Sequence, residues 1–301
     1  MTAENAAVED LTETRVAVVT GASSGIGLAA AEELARRGWA VAVVGRDEAR
    51  LAVAIDRVRG AGRGAGHAAG RGAGHAAAEA YRCDFGVLDD VRSLAAMLRV
   101  AYPRIDVLAN NAGGAFAARR STVDGFEQTI QVNHLAPFLL SHELRQSLRG
   151  GRIINTSSGA HTGGALDPDD LSSTRRSYRS LTVYGSAKQA NILFAAEAAR
   201  RWPEIQSTSY HPGVVRTRFG NESRLISGFY RLAPLLRTPE KGAETLVWLA
   251  TEDASKIAPG RYYMDLRERR PAAKATDSTL AARLWDASLA AVGLARPTSS
   301  I

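Results

Sequence analysis

The sequence predicts an α/β domain: one doubly wound parallel sheet with helices on both faces. Three observations predict it. Short apolar, β-branched runs alternate along the chain with longer amphipathic stretches. The first run is joined to the first amphipathic stretch by a glycine-rich turn. The length, 301 residues, suits one large domain of this class.

The elements follow in order. Val16-Ala17-Val18-Val19-Thr20 reads as a buried strand, and Leu28 to Arg37 as an amphipathic helix. Between them lies Gly21-Ala22-Ser23-Ser24-Gly25-Ile26-Gly27. Strand, glycine turn and helix make a phosphate cradle. Glycine lets the backbone approach a pyrophosphate, and the helix N-terminus offers unpaired N–H groups and a positive dipole end. The spacing is Gly-x-x-x-Gly-x-Gly, not the commoner Gly-x-Gly-x-x-Gly. The second strand, Ala40 to Val44, ends in Gly45-Arg46-Asp47. An acid at this strand end binds the ribose 2′-hydroxyl of NAD, whereas an arginine accommodates the 2′-phosphate of NADP. Gly45 stands where the acid is expected and Arg46 follows, so NADP(H) is the expected cofactor and NAD(H) the second choice. Arg46 could instead be a surface arginine, and Asp47, turned inward, would oppose a phosphate.

A helix is expected over Glu48–Arg59. Then comes a perfect tandem octapeptide, Gly62 to Ala69 repeated as Gly70 to Ala77. It is too short for a solenoid repeat. Its glycine content predicts a flexible insertion over 60–79, with a His/Arg phosphate-binding arm as the functional alternative. The third strand precedes Cys83-Asp84-Phe85, and the fourth ends at Asn110-Asn111-Ala112-Gly113.

Tyr184-Gly185-Ser186-Ala187-Lys188 carries the strongest chemical signal. Residues four apart share a helix face. A phenol titrates near ~10, and an adjacent ammonium favours the phenolate. Such a pair is a general acid/base poised for neutral pH. Alone, the spacing fits an ordinary solvated helix pair equally well.

Together these features resemble the short-chain dehydrogenase/reductase family, from about Arg15 to Leu294. The likeness implies a single-domain Rossmann fold over 14–294. It identifies Gly21, Ser23, Ser24, Gly25, Ile26 and Gly27 as the cofactor turn, Asp84 and Phe85 as the adenine side, and Asn111, Ala112 and Gly113 as the fourth-strand motif. Asn133, in Val132-Asn133-His134-Leu135, matches the asparagine of the catalytic tetrad. Ser158, in Ser157-Ser158-Gly159-Ala160-His161, matches the catalytic serine, with Ser157 as the neighbouring candidate. His211-Pro212-Gly213-Val214-Val215-Arg216-Thr217 matches the segment that closes on the nicotinamide carboxamide, through Pro212, Gly213, Val215 and Thr217. Several runs, and the late Arg283-Leu284-Trp285, are most similar to the retinol-dehydrogenase-like branch, which includes the WW-domain oxidoreductase.

The resemblance implies a hydride transfer between a nicotinamide and a carbonyl or alcohol. Tyr184 would move the proton, Ser158 would hydrogen-bond the same oxygen, and Lys188 would acidify Tyr184 and bind the ribose. Asn133 would hold a water in a relay to solvent. A sugar-nucleotide epimerase or dehydratase also can use Tyr-x-x-x-Lys, but the glycine spacing and Asn110-Asn111-Ala112-Gly113 argue against it. A redox-sensing scaffold without turnover would be expected to lack one of Asn133, Ser158, Tyr184 and Lys188, and all four are present.

Composition narrows the setting. The single cysteine, Cys83, excludes an internal disulfide and suggests a reducing cytoplasm. No run reaches the ~18 apolar residues of a membrane span. The six histidines show no metal-ligand spacing, so no metal is expected. The net charge of +7 comes from arginines spread over many helices, with no nucleic-acid motif. Residues 1–13 and 295–301 read as tails. Residues 216–237 are arginine-rich with an apolar side; the family resemblance implies a lid there for a hydrophobic or anionic small-molecule substrate, and a helix packed on the core fits the same residues equally well. Finally, Ala187, Ala190, Asn191, Phe194, Ala195 and Ala198 line one helix, and the helix through Asn133 to Leu148 is leucine-rich. In this family such helices often meet across a dimer, so a homodimer is expected, although the retinol-dehydrogenase-like branch includes monomers and Glu197 and Arg200 could equally mark a solvated face.

Overall fold

A computed structural model describes residues 14–64, 78–215 and 236–294. The first strand, β1 (Val16–Thr20), is buried along its whole length. So is β2 (Ala40–Gly45), as continuous apolar runs require when both faces of a parallel sheet are covered. β3 (Ala78–Arg82), β4 (Val107–Asn110), β5 (Arg152–Thr156), β6 (Gln206–Tyr210) and β7 (Tyr262–Met264) extend the sheet in parallel, and β8 (Arg267–Arg269) closes one edge antiparallel to β7. The strand order is β3-β2-β1-β4-β5-β6-β7-β8. Succession reverses between β1 and β4, and a doubly wound sheet opens its ligand crevice at the carboxyl ends of such a pair. Gly21 follows β1 and Asn111 follows β4, so both motifs lie at that point.

One helical layer consists of α1 (Gly25–Arg36), α2 (Glu48–Gly64) and α7 (Pro239–Thr251), packed on Ala17, Val19, Val41 and Val43. The other contains α3 (Leu88–Ala101), α5 (Ala136–Glu143), α6 (Ser180–Arg201) and α8 (Ser278–Ala291), packed on Val18, Ala42, Leu108 and Ile153. A short helix, α4 (Gln128–Ile130), runs through a π-helical turn at Gln131–Leu135 into α5.

Two expectations change. The helix expected over Glu48–Arg59 continues to Gly64, so Gly62, Arg63 and Gly64 of the first octapeptide are helical. Leu51, Ala54, Ile55 and Val58 give α2 its buried stripe. Gly62 lies against α1, where a Cβ would make an ordinary contact 3.5 Å from the Ala35 carbonyl oxygen. With β3 beginning at Ala78, the insertion expected over 60–79 is trimmed at both ends. Residues 65–77, the tails, Thr217 and lid residues 216–235 lie outside the described residues.

The second change concerns the faces expected to meet another copy. α8 covers them. Trp285 stacks edge-on against Phe138 of α5 and Trp202 beyond α6, at centroid distances of 5.1 and 4.9 Å. Ala281 and Leu284 pack on Ala190 and Leu193. His134 and Ser288 join the π turn to α8 through a 2.8 Å hydrogen bond. Glu197, read as a possible solvated position, is buried and ion-paired to Arg200 and Arg201. Among the described residues no helix is long and apolar enough to cross a membrane.

Candidate active site and cofactor cleft

The glycine turn is built by steric need. Gly21 has φ +66° and Gly25 φ +59°, the left-handed region that glycine enters without strain. A Cβ at Gly27 would lie 2.5 Å from both Asn111 Nδ2 and the Gly21 carbonyl oxygen. Asn111 therefore fits into the turn, and its side chain donates to the Thr20 carbonyl at 2.9 Å. Thr20 Oγ1 in turn accepts from the N–H groups of Asn111 and Ala112. The motif after β4 thus supports the turn after β1.

The cleft fits a dinucleotide. Ser24, the N-cap residue of α1, makes no side-chain capping bond, so the first N–H groups of α1 face the turn. Gly45 is the last residue of β2, and a Cβ there would meet Ser23 and Leu51 at 3.0–3.1 Å. A side chain at that position would require Ser23 and Leu51 to give by a few tenths of an ångström. Arg46 is exposed and contacts Asp84 loosely, Nη1 to Oδ2 at 3.8 Å. Asp47 turns away: its carboxylate accepts from the Arg50 N–H at 2.9 Å and pairs with the Arg50 guanidinium at 3.0 Å. These bonds hold its pKa below the usual carboxylate value. The inward-facing Asp47 considered from the sequence is therefore not seen. The Phe85 side chain is buried in the core cluster that also contains Leu88 and Val91. Ile26 and Val215, the latter buried, both pack at Gly242, where a Cβ would meet Val215 Cγ2 at 2.6 Å. This joins the cofactor turn to the Pro212–Val215 segment.

Asn133, Ser158, Tyr184 and Lys188 are brought into one neighbourhood. Asn133 sits in the π turn, fully buried. Its Nδ2 donates to the carbonyls of Gly114 and Thr129 at 2.8 Å, and its Oδ1 accepts from the Gly114 N–H at 3.2 Å. A Cβ on Gly113 would collide with Asn133 Oδ1 and lie 3.3 Å from Lys188 Nζ. Lys188 Nζ is 5.4 Å from the Tyr184 ring centroid and donates to the Thr156 carbonyl at 3.0 Å. Asn191 Nδ2 donates to the same carbonyl at 3.0 Å. Lys188 is 3% exposed, and burial pulls its pKa down to about 7.

The two candidate serines separate clearly. Ser157 is buried and its hydroxyl donates to the Lys188 carbonyl at 2.8 Å, fastening β5 to α6. Ser158 is half-buried, and its Oγ accepts from the Ala160 N–H at 3.2 Å, which leaves its hydroxyl proton to be donated. Gly185 makes the approach possible: a Cβ there would stand 2.5 Å from the Ala160 carbonyl oxygen. The 3-10 turn Gly159–Gly163 can therefore lie directly on α6 beside Tyr184.

The sequence reading missed several supporting residues. Thr156 acts through its backbone carbonyl, which no side-chain motif announces. His161 receives the Ala272 N–H on Nε2 at 3.1 Å, so its Nδ1–H donates to the Ser158 carbonyl at 2.7 Å. Phe116 lies over Gly114, and its carbonyl accepts from Tyr178 at 3.0 Å and Ser180 at 2.7 Å. Among the described residues no cluster could hold a metal ion.

The short chain dehydrogenase family profile matches residues 15–225. A Streptomyces protein (strain C5), provisionally named daunorubicin C-13 ketoreductase DnrU, is 50% identical over 93% of each chain. Human retinol dehydrogenase 13 is 34% identical, over 94% of this chain and 86% of the relative. The crystal structure of an uncharacterized Mycobacterium paratuberculosis protein superposes with a TM-score of 0.73 at 29% identity, covering 94% of this chain and 95% of that one. The matched profile, the curated relatives and the strand order converge: the chain belongs to the short-chain dehydrogenase/reductase family, with retinol-dehydrogenase-like relatives, and is an oxidoreductase.

Proposed function

We propose that the chain is an NADP(H)-dependent reductase of an apolar carbonyl compound, with Tyr184 as general acid/base. The observation that carries this reading is the pairing of Tyr184 with a buried Lys188 on α6, beside Gly113. Bound in the cleft, NADPH would supply the hydride. The uncapped start of α1 and the turn Gly21–Gly27 would hold its phosphates, Arg46 the 2′-phosphate, Asp84 the adenine side, and the Pro212–Val215 backbone its carboxamide. NAD(H) lacks the group that Arg46 would meet.

The chain's own residues then handle the proton. Ser158 donates to the carbonyl oxygen and fixes its position. Tyr184 protonates that oxygen as it gains charge. The charge on Lys188, held beside the Tyr184 ring, would stabilise the negative charge left on the phenol oxygen as its proton leaves. Asn133 has spent both side-chain donors on Gly114 and Thr129, so a water relay through this side chain would use the second lone pair on Oδ1.

The relative named as a daunorubicin ketoreductase supports a ketone on a polycyclic aromatic substrate, and the retinol dehydrogenases support an apolar aldehyde. Phe116, held beside Gly114, would form an apolar wall for either. A reducing compartment such as the cytoplasm suits the buried, free Cys83. The test is NADPH oxidation followed at 340 nm (about the nicotinamide band) with polycyclic ketones, retinal and simple aldehydes. Turnover of none of them, with NADPH bound, would reject the reading.

A further inference from the structure

We infer that the ion pair between Arg237 and Asp265 is a clamp that fixes the Pro212–Val215 turn, and through it the nicotinamide end of the cofactor; the inference rests on the NADP(H) reading above. Gly213 has φ +83°, and the Arg237 side chain lies across it: a Cβ there would stand 2.6 Å from Cδ and Nε and 2.8 Å from Cζ. The guanidinium then meets Asp265, Nη1 to Oδ1 at 2.5 Å and Nη2 to Oδ2 at 3.3 Å. The backbone reinforces this, since the Arg237 N–H donates to the Val214 carbonyl at 2.8 Å. On the opposite side His211 Nδ1 accepts from the Gly213 N–H at 3.3 Å.

Asp265 stands at the tip of the β7–β8 hairpin under unusual conditions. Asp265 and Leu266 have φ +54° and +59°. Two successive left-handed residues make a turn that favours Asn-Gly, and leucine is strained there. The strain falls on Leu266, next to the acid that faces Arg237, and the turn it belongs to presents Asp265 to the guanidinium. The ion pair is about one-third exposed on each side, so its contribution to folding is small. What it does supply is a two-point hold on the guanidinium. Arg237 and Asp265 are therefore positioning residues.

The test separates positioning from folding. Asp265→Asn combined with Leu266→Gly gives the hairpin its preferred residues and removes the charge. The cofactor-free protein is expected to melt at the wild-type temperature or higher. NADPH, titrated directly by fluorescence, is expected to bind about tenfold more weakly, because the turn that meets its nicotinamide is no longer held. Adenosine 2′,5′-bisphosphate, which has the adenosine end and no nicotinamide, is expected to bind within about twofold of wild type. Arg237→Leu is expected to reproduce the same split between the two ligands. Unchanged NADPH affinity in both variants overturns the clamp, as does equal weakening of both ligands or a fall in melting temperature that accompanies it. A wild-type protein that binds no NADPH overturns the cofactor reading and the clamp together.

Discussion

Lys188 is expected to cost the folded protein stability, and replacing it with methionine isolates that cost. Methionine keeps the unbranched stem and loses the charge. Burial lowers the Lys188 pKa from an ordinary 10.5 to about 7. A displacement of that size corresponds to about 4–5 kcal/mol of penalty on the charged form. Lys188→Met also removes the donor to the Thr156 carbonyl, a loss of about 1 kcal/mol, softened because Asn191 still bonds that oxygen. The net expectation is a gain of roughly 3 kcal/mol, or a melting temperature about 6 °C higher. The sign depends on pH. Below about 7 the lysine is charged in both folded and unfolded chains, and the full penalty applies. From there up to ~10.4 the unfolded chain binds more protons than the folded one, so wild-type stability rises with pH and the advantage of methionine shrinks. Above that range only the lost hydrogen bond remains, and the variant becomes the less stable protein. Calorimetry of cofactor-free protein from pH 6 to about 10.5 gives the comparison. A variant less stable than wild type at pH 6, or a difference that does not vary with pH, would refute the argument.

The other expectations can be checked with purified protein. Tyr184→Phe keeps the ring and should lower turnover by ~10²-fold or more while NADPH still binds, read from steady-state rates and a binding titration. Arg46→Asp should reverse or abolish the preference for NADPH over NADH in kcat/KM; equal use of both cofactors before and after the change would remove Arg46 from the 2′-phosphate role. Because α8 covers the faces of α5 and α6, light scattering at micromolar concentration should give a mass near the 32.0 kDa of one chain, whereas twice that mass would require a different interface.

Much of the fold was legible because its signals are local. β1, the glycine turn and β2 are contiguous segments whose periodicity and punctuation decide their structure. The four proposed catalytic side chains were legible for the same reason, each lying in a short run of recognisable residues. What was hidden depends on contacts between distant segments. The end of α2 runs on to Gly64 with Gly62 lying against Ala35 of α1. Ser157 and Ser158 become distinct only when α6 receives one hydroxyl and leaves the other in the cleft. Whether Asp47 faces a phosphate depends on Arg50, whose N–H and guanidinium hold the carboxylate. The covering of α6 is the clearest case. Its small-residue face fits a second copy or an internal helix equally well, and α8 begins some eighty positions beyond its end.

The position of α8 has a consequence for how the protein is made. Trp285, Leu289 and Val292 complete the same apolar cluster that contains Phe138, Phe194 and Trp202. The helix bearing Tyr184 and Lys188 therefore lacks part of its backing until α8 has been synthesised. Until then its apolar side is available to chaperones or to other nascent chains. A chain cut before α8 would keep all four of its proposed catalytic residues and lose part of the packing behind them.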